Sequence, residues 1–232
     1  MTGSVVVIGG SAGLGKAIAA HYAAQGREVV VSSRDSSRAA AAADEIGGNT
    51  RGVAVDLAEP AGIGAALADL GPVQHLVIAA IERDENKIRE YSVERAAGLA
   101  ILKLVGYPEV IHSLVDRFTD DAAVVLFGGL AKDRPYPGST MVSTVNGGIT
   151  TLINTLAIEL APMRFNAIHP AVVGDTPYWE NKPEQVLEAI RSRTPTGRLV
   201  QTADIVHAVA FLLENPAVNA VNLHVEGGSL LM

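Results

Sequence analysis

The chain has 232 residues, 48% of them hydrophobic, which suffices for the core of one large α/β domain. Its net charge is −7, with acidic and basic residues interspersed, and it lacks the basic stripe that would indicate a nucleic-acid partner. It contains no cysteine, which excludes disulfides, thiol nucleophiles and cysteine metal sites, and no metal site is predicted. No uninterrupted apolar run reaches the length of a membrane span, and the first predicted strand leaves no room for a signal peptide. We therefore expect a cytoplasmic protein without a membrane partner.

The first predicted elements are a strand, a glycine-rich turn and a helix within Ser4–Ala20. The β-branched run Val5–Ile8 predicts a strand buried on both faces, and Gly9, Gly13 and Gly15 follow it. In such a unit the first glycine permits a sharp turn, the second the approach of a pyrophosphate, and the third close packing of helix on sheet. Glycine turns join strands to helices in many folds, but the flanking strand and helix favour a nucleotide site with phosphates on the helix N-terminus.

The glycine spacing G-x-x-x-G-x-G resembles that of the short-chain dehydrogenase/reductase superfamily. The usual signature there is T-G-x-x-x-G-[IL]-G, and Ile8 stands in place of the threonine. The resemblance implies a dinucleotide cofactor held by residues of this loop, namely Gly9, Ser11, Ala12, Gly13, Leu14 and Gly15.

The second predicted strand, Glu28–Ser33, ends where this fold meets the adenosine ribose. An acidic residue there would bind the free 2′-hydroxyl of NAD. This chain has Arg34 there instead, and Arg34 with Ser33 suits the 2′-phosphate of NADP. We therefore expect NADP(H) as the cofactor. Two alternatives stay open: Asp35 faces the ribose and weakens this preference, or Arg34 is only a solvated residue at a helix start.

The next stretch predicts two more helix–strand pairs. Asp56 and Leu57 follow a strand and resemble the superfamily's adenine-contacting pair, although Asp56 also fits a helix N-cap. Ala79 and Ala80 stand where the superfamily usually shows Asn-Asn-Ala-Gly, and the resemblance makes them cofactor contacts as well. The predicted elements here are a helix over Ser36–Ile46, a strand over Arg51–Val55, a helix over Ala61–Leu70 and a strand over Val73–Ala80.

Strands and helices continue to alternate to the end of the chain. This alternation predicts one Rossmann-type domain over residues 1–232, a doubly wound parallel sheet with helices on both faces. The remaining predicted elements are a helix over Val93–Phe118 bent near Gly106–Pro108, a strand over Ala122–Phe127, a polar loop over Lys132–Ser139, a helix over Met141–Leu160, a strand over Arg164–Ile168, a helical substrate lid over Trp179–Arg193, a helix over Ile205–Leu213 and a strand over Val221–Val225.

The stretch Leu156–Pro170 gives the most specific resemblance, to the superfamily segment LAxELAPxRVNAxxPG. The residues after it correspond to the superfamily's Pro-Gly…Thr-Pro, with one extra residue before the threonine. The resemblance implies nicotinamide and phosphate contacts at Pro170, Val172 and Thr176.

The superfamily's proton relay does not match the residues of this chain. Counting back from Glu159–Pro162 puts Val142 at the position of the tyrosine acid, Asn146 at that of the lysine, and Gly129 at that of the serine. Valine carries no proton to donate, and Asn146 can only hydrogen-bond a ribose hydroxyl. The expected cofactor site is kept, whereas the expected acid–base set is missing.

Lys103 takes the place of a structural asparagine of that relay, and a buried lysine shifts its pKa readily. We therefore predict Lys103, Tyr136 and Asn146 as catalytic residues, while a lysine that points to solvent or to a partner subunit is the plain alternative. Other candidates for the acid are Asp133, Ser139 and His169.

The resulting hypothesis is an NADP(H)-dependent oxidoreductase that acts on a small carbonyl or alcohol substrate through a non-standard proton relay. Two alternatives stay open: the protein binds NADP(H) without turnover, or it is an enzyme that reuses the fold for a non-redox step. The resemblance also implies a homo-oligomer, a dimer or a tetramer.

Overall fold

Apolar, β-branched runs form the centre of the molecule, because parallel strands are covered on both faces and must be apolar throughout. The computed structural model describes residues 3–232, in which seven strands form one parallel sheet of order β3-β2-β1-β4-β5-β6-β7. The predicted doubly wound architecture is thereby confirmed. The strands are β1 Ser4–Ile8, β2 Glu28–Ser33, β3 Asn49–Ala54, β4 Val73–Ile78, β5 Phe118–Phe127, β6 Arg164–Pro170 and β7 Asn222–Val225.

Helices cover the sheet on both faces. Helices α1, α2 and α9 pack on one face, whereas α3 to α6 pack on the other, so that each face has its own apolar cluster. The helices are α1 Gly13–Ala24, α2 Ser36–Ile46, α3 Ile63–Ala66, α4 Val93–Ala100, α5 Tyr107–Leu114, α6 Thr140–Glu159, α7 Pro177–Glu180, α8 Glu184–Arg191 and α9 Thr202–Glu214.

A π-helical segment, Ile101–Gly106, joins α4 to α5 in place of the predicted bend. Pro108 has no N–H for the carbonyl of Leu104, so the turn before it cannot keep the α-helical hydrogen-bond pattern. The wider π turn keeps the helix continuous and directs Lys103 into the protein, where its side chain is buried.

Two other predicted helices are shorter than expected. The helix over Ala61–Leu70 is reduced to a 3₁₀ turn, Pro60–Gly62, followed by α3, because Gly62 and Gly64 weaken helix there. The predicted lid is two short helices, α7 and α8, because Pro183 disfavours helical backbone in the residue before it.

Two helical stretches, Val93–Arg117 and Thr140–Glu159, have the length and mean hydropathy of a membrane span. Composition alone does not separate such helices from core helices. Packing is more informative here, since Val110 and Ile149 are fully buried in the same cluster as Leu126 of β5. Both stretches therefore form the layer on one face of the sheet.

Candidate functional site

The three loop glycines after β1 are each required by a different local constraint. Gly9 has φ +81°, and a Cβ there would lie 2.6 Å from the backbone nitrogen of Ala80. A Cβ on Gly15 would lie 2.2 Å from the carbonyl oxygen of Gly9, so only glycine lets α1 pack this tightly on the strand end. Gly13 has φ +53° and nothing within 4 Å of its Cβ position, so its backbone faces open space. The loop is therefore a cradle with room for a phosphate group at the N-terminus of α1.

A cleft of about 650 Å³ runs along the carboxyl ends of the strands, where ligands bind in open α/β sheets. Most of the residues predicted to contact a cofactor line it: Gly9, Ser11, Ala12, Gly13, Leu14, Gly15, Ser33, Arg34, Asp56, Leu57, Ala79, Ala80, Pro170 and Thr176. Val172 does not, because its neighbours Ala171 and Val173 face the cleft instead. Of the three contacts predicted in this loop, Pro170 and Thr176 thus line the cleft and Val172 does not.

Two arginines line the cleft beyond the end of β2. Arg34 was expected there, and Arg38 joins it from the first turn of α2. Asp35 is not part of the lining, because its carboxylate is the N-cap of α2 and accepts hydrogen bonds from Ser37 Oγ and from the Arg38 backbone N–H at 2.8 Å. These bonds hold the pKa of the Asp35 carboxyl below its usual value. This end of the cleft therefore presents positive charge, which fits a phosphate group.

Asp56 lines the same part of the cleft from the loop after β3. Its Oδ1 accepts a hydrogen bond from the Ala58 N–H at 2.9 Å, so the carboxylate is held by its own turn and does not cap a helix. The following residue, Leu57, is buried and lines the cleft as well. The polar side chain of Asp56 fits the edge of an adenine ring, and the apolar side chain of Leu57 fits its face.

Lys103 is buried behind the end of β5. Its Nζ donates hydrogen bonds to the carbonyl oxygen of Phe127 at 2.7 Å and to Asn146 Oδ1 at 3.0 Å. Burial lowers the pKa of the Lys103 amine to about 7. Lys103 does not line the cleft itself, but Phe127 and Gly128 do, so only this stretch of backbone separates the amine from it. The prediction that Lys103 is buried rather than solvated is confirmed.

Asn146 and Gly129 are in direct contact at the same place. A Cβ on Gly129 would lie 2.8 Å from Asn146 Nδ2, so the asparagine fills the space that a side chain at 129 would need. Because Lys103 donates to Oδ1, the Nδ2 amide group of Asn146 is the end directed at the end of β5. Asn146 is buried on α6 and does not line the cleft.

His169, one of the candidate acids, is a structural residue of the strand ends. Its Nδ1 accepts a hydrogen bond from the Gly129 N–H at 3.1 Å, and its Nε2 donates to Asn222 Oδ1 at 2.9 Å. Burial lowers the pKa of His169 to about 4, so the ring is neutral at pH 7. Its ring also fills the space beside Gly128, whose Cβ would lie 2.3 Å away. With both nitrogens engaged, His169 has no proton for a substrate.

The other candidate acids lie outside the cleft lining. Tyr136 was expected to border the substrate pocket, but its side chain is half exposed in the loop before α6. Ser139 Oγ accepts from the Tyr136 N–H at 3.0 Å and bonds to Ser143 Oγ, which fixes that loop. Asp133 forms an ion pair with Lys132, and its Oδ2 lies 2.9 Å from His224 Nε2. These groups are held by local contacts that fix the loop, and the loop turns them away from the cleft.

The cleft also contains residues that the sequence did not single out as a site. Arg83 follows β4 and Tyr178 lies on α7, whereas Trp179, also on α7, is the first residue of the predicted substrate lid. Their position after a strand end was a usable signal, because ligands of such sheets bind beyond the carboxyl ends of the strands. Others in this group are Ile8, Ser32, Arg38, Val55, Ile81, Glu82, Leu102, Phe127, Gly128, Ala171, Val173 and Pro177.

Comparison with known proteins agrees with this fold. A family model described as "Enoyl-(Acyl carrier protein) reductase" matches residues 9–229. The 3-oxoacyl-[acyl-carrier-protein] reductase of Mus musculus is 28% identical over 96% of this chain and 95% of its own length. Carbonyl reductase family member 4 of Danio rerio is 28% identical over 100% of both chains.

Solved structures give the same picture of the fold. A short chain dehydrogenase/reductase family protein superimposes with a TM-score of 0.87 at 25% identity, covering 99% of this chain and 97% of its own. A Brucella melitensis short-chain dehydrogenase/reductase superimposes with a TM-score of 0.90 at 22% identity, covering 97% and 96% of the two chains. The chain thus belongs to the short-chain dehydrogenase/reductase superfamily of oxidoreductases, in the family described as enoyl-(acyl carrier protein) reductase.

Proposed function

We propose that the protein is an NADP(H)-dependent oxidoreductase that interconverts a small carbonyl compound and the corresponding alcohol. The single observation that carries this proposal is the cleft at the strand ends, with a glycine cradle at one side and a buried amine behind its floor. Relatives named as 3-oxoacyl-[acyl-carrier-protein] reductases support the reaction class.

The residues that line the cleft fit a dinucleotide. The backbone of Gly13 and the N-terminus of α1 would hold the pyrophosphate, and Asp56 with Leu57 would hold the adenine. Arg34 and Arg38 favour NADP(H), because two guanidinium groups match a 2′-phosphate and Asp35 is engaged as a helix cap. When bound, NADP(H) supplies or accepts the hydride of the redox reaction.

Lys103 would act as a positioning residue: it does not line the cleft, so its charge would reach the substrate oxygen only across the backbone of Phe127 and Gly128. Reduction of a carbonyl places negative charge on its oxygen, and that charge must be stabilised or neutralised by a proton. The Lys103 amine holds Asn146 by its Oδ1, so that the Asn146 amide is oriented towards the end of β5. With a pKa near 7, the amine exists in both protonation states at physiological pH, as a group that moves protons requires.

The cofactor preference is tested by titrating NADPH and NADH against wild type and Arg34→Ala. We expect NADPH to bind wild type more tightly than NADH. Loss of one charged contact to the 2′-phosphate, about 1.5–3 kcal/mol, should weaken NADPH binding about ten- to hundredfold. NADH binding should change little. Equal affinities of wild type for the two cofactors contradict the NADP(H) assignment.

Turnover is tested by NADPH oxidation with a panel of ketones and aldehydes. Lys103→Met keeps the length of the side chain and removes its charge, and Lys87→Met removes an exposed lysine elsewhere as the matched control. We expect Lys103→Met to lose at least about tenfold in kcat with unchanged NADPH affinity, and Lys87→Met to behave as wild type. Unchanged turnover in Lys103→Met removes this role from Lys103.

A protein that binds NADP(H) without turnover is the second candidate. It is favoured by Val142, which lies on α6 one turn before Asn146, where the superfamily resemblance implies the tyrosine acid. Tight NADPH binding by wild type without oxidation by any compound of the panel supports this second function. Turnover of even one carbonyl compound excludes it.

A further inference from the structure

Two cationic side chains contact one aromatic ring at the mouth of the cleft. The guanidinium carbon of Arg83 lies 3.5 Å from the ring centroid of Tyr178, and Lys182 Nζ lies 4.4 Å from the same centroid. Such contacts hold a cation over the ring by its electron-rich face. Trp179 meets the Tyr178 ring edge-on at 5.2 Å, which supports the orientation of the ring.

The contact joins loops that follow two different strands of the sheet. Arg83 follows β4, while Tyr178 and Lys182 follow β6. In the sheet order β5 lies between these two strands, and Phe127 and Gly128 at its end line the same cleft. A ligand group held by Arg83 would therefore be close to the backbone behind which Lys103 is buried.

The two cations have no anionic partner within the protein. Within residues 3–232, neither the Arg83 nor the Lys182 side chain forms an ion pair or a hydrogen bond, and Glu82, which also lines the cleft, pairs with neither. Arg198, which is also exposed, is by contrast paired with Asp204. Because both charges lie so near one ring, they are at most about 8 Å apart and repel each other.

We propose that Arg83 and Lys182, held by Tyr178, bind an anionic group of the substrate, so that the protein acts on carbonyl compounds that carry a carboxylate or a phosphate. This inference rests on the proposed oxidoreductase function. The cofactor's phosphates have other sites, since the glycine cradle follows β1 and the Arg34–Arg38 pair follows β2. Those strands lie on one side of β4 in the sheet order and β6 lies on the other, so Tyr178 and Lys182 come from the side opposite these two phosphate sites.

The test measures ligand binding to protein saturated with NADP⁺, which needs no turnover. Acetoacetate, acetonylphosphonate and methyl acetoacetate are titrated by calorimetry; they share a ketone and differ in carrying a carboxylate, a phosphonate or no charge. The variants are Arg83→Gln and Lys182→Gln, and Arg89→Gln is the matched control because Arg89 is exposed on a 3₁₀ turn outside the cleft.

We expect wild type to bind at least one of the two anions about tenfold more tightly than the ester. Arg83→Gln and Lys182→Gln should each lower the affinity for that anion about fivefold, and should leave the affinities for the ester and for NADP⁺ unchanged. The Arg89 variant should match wild type throughout. The anion that binds more tightly identifies the substrate group: a carboxylate if it is acetoacetate, and a phosphate if it is acetonylphosphonate.

Equal affinities for the anions and the ester overturn the subsite, as does the failure of all three ketones to bind wild type. A parallel loss of NADP⁺ affinity in Arg83→Gln also overturns it, because the anion recognised would then belong to the cofactor. If NADP⁺ itself does not bind, the proposed function fails, and the anions are titrated into the protein alone. Binding that Arg83→Gln removes still supports the subsite in that case, whereas its absence overturns it.

Discussion

The side chains of Lys103 and Asn146 meet at 3.0 Å behind the end of β5, although they come from different helices. The superfamily resemblance implies an asparagine at 103 and a lysine at 146, so the two residue types are exchanged between the helices. The amine thus enters from the π segment, and the amide from α6. An amine is therefore present behind the end of β5 in both arrangements, but here it is carried by residue 103 instead of residue 146.

Exchanging the two residues tests their coupling. Asn146→Lys alone should destabilise the protein, because it places a second amine against that of Lys103 in a buried site. Lys103→Asn alone should also destabilise it, because the shorter side chain does not reach the Phe127 carbonyl. The double exchange should recover about 1–3 kcal/mol of the summed losses.

Urea unfolding of the four proteins measures this coupling in the free energy of unfolding. Thr144→Ala, on an exposed part of α6, serves as the control for substitutions on that helix. Strict additivity of the two single losses would mean that the contact between Lys103 and Asn146 contributes nothing.

The buried amine of Lys103 should make stability depend on pH. Its pKa is about 7 in the folded protein, against an ordinary value of 10.5. Between these values the unfolded chain binds one more proton than the folded one, so stability attributable to this group rises with pH, by about 1.4 kcal/mol per unit. Below pH 7 the amine is protonated in both states, and the dependence ends.

The difference in unfolding free energy between wild type and Lys103→Met isolates this effect, since all other groups titrate in both proteins. The free energy of unfolding of wild type should rise relative to that of the variant from pH 7 towards pH 10. Below pH 6 the difference between the two proteins should stay constant. A difference that is constant from pH 6 to pH 10 shows that the amine titrates normally in the folded state.

Sequence reasoning at the scale of residues succeeds where a position follows directly from a strand end. Arg34 and Asp56 are found in this way, because the carboxyl ends of parallel strands share one edge. Tyr136 is misplaced because a loop's direction depends on contacts such as that of Ser139, which no local pattern encodes. The contact of Lys103 with Asn146 depends on the packing of two helices and is equally invisible in the sequence.

At the scale of elements, the π segment is the feature on which the site depends. The buried strands are recognisable from their β-branched runs, whereas a π turn and an α-helix share nearly the same apolar pattern. The proline at 108 indicates a disturbance of the helix, but it does not tell a kink from a π turn. The predicted lid is likewise divided into two helices at one proline, Pro183.

Two glycines of this helical stretch should respond oppositely to alanine. A Cβ on Gly106 would lie 2.5 Å from the carbonyl oxygen of Leu57, so Gly106→Ala should force the π segment off the loop after β3 and destabilise by about 1–3 kcal/mol. A Cβ on Gly98 in α4 would have no atom within 4 Å, so Gly98→Ala should stabilise the protein by about 0.5–1 kcal/mol.

Thermal unfolding of the two variants distinguishes these effects by sign. Because Leu57 lines the cleft, Gly106→Ala should also weaken NADPH binding, whereas Gly98→Ala should not. A Gly106→Ala protein as stable as wild type would show that the helix is free to move away from Leu57.

At the scale of the whole molecule, the helices on one face of the sheet expose apolar side chains. Ile101, Leu104 and Val105 are 37%, 38% and 50% exposed on the π segment, and Ile158 is 80% exposed near the end of α6. Large exposed apolar side chains that lie together on a surface mark interfaces. The homo-oligomer remains a prediction, and these side chains are where a second copy would pack.

Sedimentation at micromolar concentration should give a dimer or a tetramer. Val105→Glu should shift the protein towards smaller species, because it would bury a carboxylate without a partner in the interface. Ile88→Glu, at an exposed apolar residue of a 3₁₀ turn outside these helices, should leave the assembly intact. A monomer for wild type contradicts the prediction.

The 2.8 Å between the Cβ position of Gly129 and Asn146 Nδ2 constrains the substitutions through which this site can change. Asn146 cannot turn aside while Lys103 holds its Oδ1, so a serine at 129 meets an occupied position. A serine at 129 therefore requires that Asn146 be replaced as well, and the Lys103 amine would then need another partner. Positions 103, 129 and 146 can thus change only together.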